Sequence, residues 1–297
     1  MAYRGRFAPS PTGALHFGSL ITAVASFADA RAHGGEWLVR IEDLDRPRTV
    51  PGAADAILRT LLALGLCWDR PPLLQSPRTA AYEEALERLT ALGLTYPCAC
   101  SRAEIGGGGH HGGIAPVYPG TCRNGLPPGR PPRSIRLRTS HALRQFHDRI
   151  QGAQQQDVAT VVGDFVLRRA DGIHAYQLAV VVDDAWQGIS HVVRGADLLA
   201  STPAQGLLQQ ALGLPTPTYA HIPLAVDHRG RKLSKSWAAA PVDPADPVPT
   251  LRRAWAWLGQ EPAPAGASPA DFWQHAGRNW RIERVPALRC ACADPNP

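Results

Sequence analysis

The apolar positions of this chain switch between two periods. Residues 4–8 make a short run that predicts a strand, and the turn-forming stretch Pro9-Ser10-Pro11-Thr12-Gly13 follows it. Leu20, Ile21, Val24, Phe27 and Ala28 then recur at helical spacing until Gly34 and Gly35 end the pattern. Residues 37–41 predict a second strand. Ile57, Leu58, Leu61, Leu62 and Leu64 mark another helix, as do Ala85, Leu86, Leu89 and Leu92. Alternating strand and helix signals predict a parallel sheet with helices on its faces.

From 96 to 157 this pattern breaks down. Glycine runs from 106 to 109, prolines stand at 127, 128, 131 and 132, and three of the six cysteines lie here, so the segment reads as an insertion. Sheet-like runs resume at 165–169, with Asp171-Gly172 as a hairpin turn, and continue at 176–182 and 191–193. Thr202 is a good helix cap, with Pro203 in the first helical position and Gly213 after the last turn. Residues 221–226 predict a final strand, and 251–258 and 273–282 a small helical tail. The predicted organisation is an α/β core whose first half spans 1–95 and second half 158–226. An insertion at 96–157 separates the halves, and a loop with a helical region at 227–297 follows.

With 297 residues and 44% apolar content, the chain can bury a substantial core. No apolar run approaches the ~20 residues of a membrane-spanning helix. Pro9, Ser10, Pro11 and Gly13 interrupt any signal-peptide layout. The expectation is a cytoplasmic protein with no membrane partner and no stable protein partner. A net charge of +6 favours an anionic partner such as nucleic acid. Of the 31 basic side chains, 29 are arginine, and both lysines stand in Lys232-Leu233-Ser234-Lys235-Ser236. A chain that uses Arg wherever charge alone suffices keeps Lys where a compact point charge is needed, and phosphate is its usual partner.

A second phosphate signal lies near the N-terminus, in Arg6-Phe7-Ala8-Pro9-Ser10-Pro11-Thr12-Gly13-Ala14-Leu15-His16-Phe17-Gly18-Ser19. A helix N-terminus after the first strand offers free N–H groups and a positive dipole end. Gly18 lets a nucleotide lie against the backbone, and His16 adds a ring N–H. Taken alone, this could equally be an ordinary strand-to-helix turn with a capping serine. Together with the lysine pentapeptide, it resembles the paired signatures of class I aminoacyl-tRNA synthetases. That resemblance implies ATP and Mg²⁺, a Rossmann-type core, and ATP contacts from His16, Gly18, Ser19, Lys232 and Lys235, with Lys235, His16 and Lys232 in catalytic roles.

The stretch from Arg6 to Gly13, and Val39-Arg40-Ile41-Glu42-Asp43-Leu44-Asp45, match the glutamyl branch of that class. Arg can pair with a carboxylate and Glu can hold an ammonium, which suits an acidic amino acid. By resemblance, Arg6, Phe7, Ala8, Pro9, Ser10, Glu42, Tyr176 and Arg194 form the glutamate pocket. Asp43 and Asp45 read as a solvated acidic turn.

Cys98-x-Cys100 and Cys122 give three ligands of a tetrahedral Zn²⁺ site. From chemistry alone the fourth ligand stays open. His110 and His111 are the generic choice but sit among glycines. The spacing Tyr118-x₃-Cys122 resembles that of the glutamyl-Q tRNA(Asp) synthetase family, where a tyrosine completes the site, and implies Tyr118. Cys67, Cys290 and Cys292 read as free thiols. Only 61 residues of the 297 follow Ser236, too few for the helical anticodon-binding region of a glutamyl-tRNA synthetase. The same family is therefore the one implied for the whole chain. The function it implies is tRNA-independent activation of L-glutamate, followed by transfer to the queuosine base of tRNA(Asp). The competing readings are a truncated glutamyl-tRNA synthetase charging a 3′ end and a non-catalytic zinc-containing RNA-binding protein.

Overall fold

A computed structural model describes residues 2–106, 117–141, 143–230, 241–264 and 268–293. β1 (Arg4–Phe7), α1 (Phe17–Ala32) and β2 (Glu36–Ile41) form a parallel β-α-β unit, with Arg4 opposite Glu36 and Phe7 opposite Val39. α2 (Ala53–Ala63) crosses to β3 (Leu73–Leu74), which pairs in parallel with the end of β2. α3 (Thr79–Ala91) leads into β4 (Thr95–Cys98), and β5 (Ser134–Leu137) pairs antiparallel with β4.

Next come β6 (Leu143–Asp148), β7 (Gly152–Asp157), the one-turn α4 (Val158–Val161) and β8 (Val166–Arg168), which pairs with β5. β6 and β7 are an antiparallel hairpin, and β6 also pairs with a core strand through Asp148 and Tyr219. Residues 143–157, placed in the insertion by sequence, thus extend the core sheet. α5 (Tyr176–Trp186), β9 (His191–Gly195), α6 (Thr202–Leu212), β10 (Thr218–Ile222) and β11 (Leu224–Val226) complete the second half. β9 and β10 are parallel over five residue pairs. β9 also runs beside β1, where Ser190 N–H donates to the Arg4 carbonyl at 3.0 Å. The tail holds α7 (Pro247–Trp257), α8 (Pro269–Asn279) and β12 (Cys290–Cys292), the last paired with β11.

Three expectations need correction. The run at 176–182 is helical, the first part of α5, because Leu178, Ala179, Val180 and Val181 are all buried and no polar face marks the helical period. The strand expected at 221–226 is split at Pro223 into β10 and β11, since proline has no N–H for a ladder. Ser201, not Thr202, precedes α6, and the Thr202 hydroxyl is committed to Arg194. Gly213 ends that helix with φ +64°, as expected of a terminating glycine.

The main core joins α1, β1 and β2 to the tail. Trp37, Leu20, Ile21, Trp255, Phe272 and Trp280 share one apolar cluster, and Trp280 Nε1–H donates to buried Asp29 at 2.9 Å. A second cluster joins α3, α5 and α6 through Tyr82, Leu89, Leu178 and Leu208. No helix among the described residues is long and apolar enough to cross a membrane. β1 lies between β2, which the chain reaches directly through α1, and β9, which it reaches only after α5, so the strand order reverses at β1. Crevices at the carboxyl ends of strands around such a switch point are where open α/β sheets bind ligands.

Candidate active site and cysteine centre

A cleft of about 740 Å³ opens at these strand ends. Arg6, Phe7 and residues 8–10 enter it from the end of β1, Glu42 from the end of β2, and Arg194 from β9. The start of α5 contributes Tyr176, and the start of α1 contributes His16, Gly18 and Ser19.

Arg6 is buried, and its Nε and Nη2 each donate to the Asp184 carboxylate at 3.2 Å. Among the described residues Nη1 has no protein partner. Fully buried Arg40 donates to the same carboxylate at 2.7 Å, to Gln187 Oε1 at 2.8 Å and to Glu42 at 3.4 Å. Burial alone would raise the Asp184 pKa, but Arg40 and Arg6 hold it below the usual carboxylate range. Glu42 goes the other way: burial raises its pKa, and the attraction of Arg40 and Arg6 offsets this only in part. The cleft thus contains a carboxyl poised to gain from an incoming cation. Arg194 donates through Nη2 to Thr202 Oγ1 at 2.9 Å, and its Nη1 lies 3.5 Å from the Tyr176 hydroxyl. Burial raises the pKa of Tyr176, so it stays a neutral phenol.

His16 caps α1 in an extended conformation, and its Nδ1 accepts from Ser19 N–H at 3.2 Å. Ser19 Oγ lies 3.0 Å from Nε2 of the same ring. The cap is therefore the histidine, not a serine. At Gly18 an added Cβ would come within 3.3 Å of the His16 ring, so glycine keeps this wall flat. Lys232 and Lys235 lie outside the described residues. On either side of their segment, Ala225 and Pro241 both line the cleft, and Val242 N–H donates to the Leu15 carbonyl at 2.8 Å.

Sequence reasoning read Thr202 only as a helix cap and assigned no role to Asp184, Arg40, Asp148 or His221. Arg40 and His221 carried a readable signal, each a polar residue inside an otherwise apolar strand run. Asp184 carried none, because its partners Arg6 and Arg40 are far away in the chain.

The second centre joins β4 to the following loop. The Sγ atoms of Cys98, Cys100 and Cys122 lie within 4.8 Å of one another. Tyr118 Oη sits 3.3 Å from Cys98 Sγ and 3.5 Å from Cys100 Sγ, and the Cys100 and Cys122 sulfurs are 3.7 Å apart. Zn–S bonds of ~2.3 Å and Zn–O bonds of ~2.0 Å at tetrahedral angles require S···S near ~3.8 Å and S···O near ~3.5 Å. The donor set fits zinc. Burial opposes the Cys98 thiolate, but hydrogen bonding from Tyr118 and Arg136 brings its pKa below the ordinary thiol range. His110 and His111 lie outside the described residues. Among the described residues, which include all six cysteines, none is in a disulfide; Cys67 and Cys290 are exposed.

Residues 2–244 match the family described as tRNA synthetases class I (E and Q), catalytic domain. A protein named glutamyl-Q tRNA(Asp) synthetase from Dechloromonas aromatica is 58% identical over 290 residues, covering 96% of each chain. One of the same name from Burkholderia cenocepacia is 61% identical over 263 residues, covering 86% of this chain and 88% of its own. Among solved structures, a glutamate–tRNA synthetase from Elizabethkingia anophelis superposes with a TM-score of 0.80 at 26% identity, covering 98% of this chain and 68% of its own. The parallel sheet with its flanking helices is the class I catalytic fold, and the protein is a ligase. With these relatives matched along almost the whole chain and the family's catalytic domain spanning the cleft, the chain belongs to the glutamyl-Q tRNA(Asp) synthetase family of class I enzymes.

Proposed function

We propose that the cleft activates L-glutamate with ATP in the absence of tRNA, and that the glutamyl group then passes to the queuosine base in the anticodon of tRNA(Asp). The observation behind the first half is the charge arrangement: Arg6, Glu42 and Arg194 face one cleft from the ends of three neighbouring strands. A substrate with two carboxylates and one ammonium matches that set. Arg6 and Arg194 take the carboxylates, Glu42 takes the ammonium, Tyr176 donates from the side, and Phe7, Ala8, Pro9 and Ser10 close the pocket. ATP lies along the start of α1, over Gly18 and beside His16 and Ser19.

The glutamate α-carboxylate attacks the α-phosphorus, a new P–O bond forms, and the bond to pyrophosphate breaks. The nucleophile is already ionised, so no protein base is required. The protein positions the reactants and stabilises charge. Lys235 is assigned to the developing phosphate charge and Lys232 to holding the loop, consistent with Ala225 and Pro241, on either side of their segment, both lining the cleft. Mg²⁺ in such sites binds largely through substrate phosphates and adds neutralising charge there. Cys98, Cys100, Cys122 and Tyr118 are assigned one structural Zn²⁺ with no open position. ATP and tRNA place the work of the enzyme in the cytoplasm.

The name borne by a relative matched over 96% of its length supports this acceptor. The superposition on a glutamate–tRNA synthetase supports a second reading, charging of a tRNA 3′ end. Glutamate-dependent ATP–pyrophosphate exchange, run with and without tRNA, tests the first half. Exchange without tRNA is expected. Exchange only after tRNA is added would overturn tRNA-independent activation, and ATP binding without any exchange would favour the non-catalytic reading.

A further inference from the structure

Behind Arg194 lie two fully buried ionisable groups, Asp148 at the end of β6 and His221 in β10. Their contacts fix where the protons sit. Asp148 Oδ1 accepts three backbone N–H bonds, from Ile150 at 3.0 Å, Gln151 at 2.8 Å and His221 at 3.1 Å. Oδ2 is left to His221 Nδ1, 2.6 Å away. An ionised carboxylate only accepts, so Nδ1 carries the proton. Nε2 then presents its lone pair to Arg194 Nε–H at 2.9 Å. Guanidinium has donors and no acceptor, so the opposite tautomer would set N–H against N–H. Burial, with the nearby Arg194 charge, pushes the His221 pKa down to about 4, although Asp148 opposes this; the ring is neutral. Tyr219 packs under the guanidinium at 5.2 Å.

We propose that Asp148 and His221 are positioning residues for Arg194: Asp148 selects the Nδ1–H tautomer of His221, whose Nε2 holds the guanidinium with Nη2 on Thr202 and Nη1 turned toward Tyr176 and the cleft. A buried partner that fixes a histidine tautomer is a recurrent way to orient the group beyond it. The kinetic part of this inference rests on the reading of the cleft as a glutamate site; the tautomer does not.

Asp148→Asn tests it with almost no change of shape. The three backbone donors retain the amide oxygen, so the amide NH₂ faces Nδ1 and drives His221 to the Nε2–H form, against Arg194. The glutamate KM in exchange is expected to rise about tenfold or more, since small misplacements of a substrate-holding group are costly, while kcat and the ATP KM stay within about twofold. In ¹⁵N-histidine spectra the wild type shows a neutral Nδ1–H signal that disappears in His221→Gln. Should Asp148→Asn fail to fold, His221→Gln and His221→Leu decide. Gln keeps an acceptor for Arg194 and Leu does not, so the glutamate KM of the Gln variant lies well below that of the Leu variant. Equal KM values in that pair, an ATP KM rising with the glutamate KM, or an Nε2–H signal in the wild type each overturn the proposal. Wild-type protein lacking glutamate-dependent exchange counts instead against the proposed function, and the spectra still decide the tautomer.

Discussion

Arg6 and Asp184 stand 178 residues apart in the chain and meet with two nitrogens on two oxygens, both at 3.2 Å. The same carboxylate takes Arg40 at 2.7 Å, so two buried guanidiniums share one anion, with Glu42 3.4 Å from Arg40, and the shared contact links β1, β2 and α5 beneath the cleft. Arg6 can then meet a substrate carboxylate without carrying an unpaired charge in the free protein.

Asp184→Asn removes that anion and leaves both arginines buried. Loss of one partner from a buried pair costs about 3–5 kcal/mol. Urea unfolding of the variant should show a loss of that order, with the glutamate KM raised. A stability change under about 1 kcal/mol, the scale of an exposed pair, would show that Asp184 does not balance the two arginines.

The Glu42 carboxyl gives the cleft a pH dependence with a definite sign. Its pKa is raised by burial, and in the proposed glutamate site only its ionised form would attract the substrate ammonium. Glutamate affinity is therefore full above that raised pKa and falls as the pH drops through it. The substrate's own side-chain carboxyl titrates lower, at about 4.3. A plot of glutamate KM against pH should rise on the acid side with a midpoint above that value. Glu42→Gln should raise the KM at neutral pH and abolish this limb; a limb that survives unchanged belongs to another group.

Much of this was legible in the sequence where chemistry and local pattern coincide. The strand, turn and helix from Arg4 to Ala32 follow directly from apolar spacing and Gly34. The cysteine spacing foretold a cluster that the fold brings together. The misses share a cause. α5 is buried on several sides, so Val180, Val181 and Val182 look like a strand when read alone. The β6–β7 hairpin carries Gln145, Gln154, Gln155 and Gln156 and few apolar residues, so only its pairing with β10 marks it as sheet. The ties of Asp184 to Arg6 and of Asp148 to His221 are long-range, and no local window contains both partners.

Lys235→Arg tests why an arginine-rich chain keeps this lysine. A planar fork does not replace a point charge held against phosphate, so the Arg variant should lose most of the exchange activity that Lys235→Ala loses, about 10²–10³-fold in rate. Glutamate binding measured by calorimetry should be unaffected in both. Full activity in the Arg variant would remove the point-charge argument.

Metal analysis should find about one zinc per chain, resistant to mild chelation because the site has no open position. Cys100→Ser should release it and lower the melting temperature of the segment it staples, with RNA transfer falling more than exchange. Tyr118→Phe should weaken zinc binding, given hydroxyl–sulfur distances of 3.3 and 3.5 Å. Zinc retained by Tyr118→Phe but released by His110→Ala with His111→Ala would move the fourth ligand to that pair.

The acceptor separates this chain's two closest readings, because the relatives matched end to end bear one name and the superposed structure another. A glutamyl adenylate needs a nucleophile, and both candidates are cis-diols: the cyclopentene hydroxyls of queuosine and the terminal ribose of a tRNA. Periodate destroys both, so it controls for diol dependence without telling them apart. Trimming the 3′ end with a nuclease before the assay does separate them. With ATP and labelled glutamate, tRNA(Asp) carrying queuosine should be labelled and should keep its label after trimming. The same tRNA lacking queuosine, and tRNA(Glu), should remain unlabelled. Label that disappears with the 3′ end, or that appears on tRNA(Glu), would mean that this cleft charges a tRNA terminus and that the base is not its acceptor.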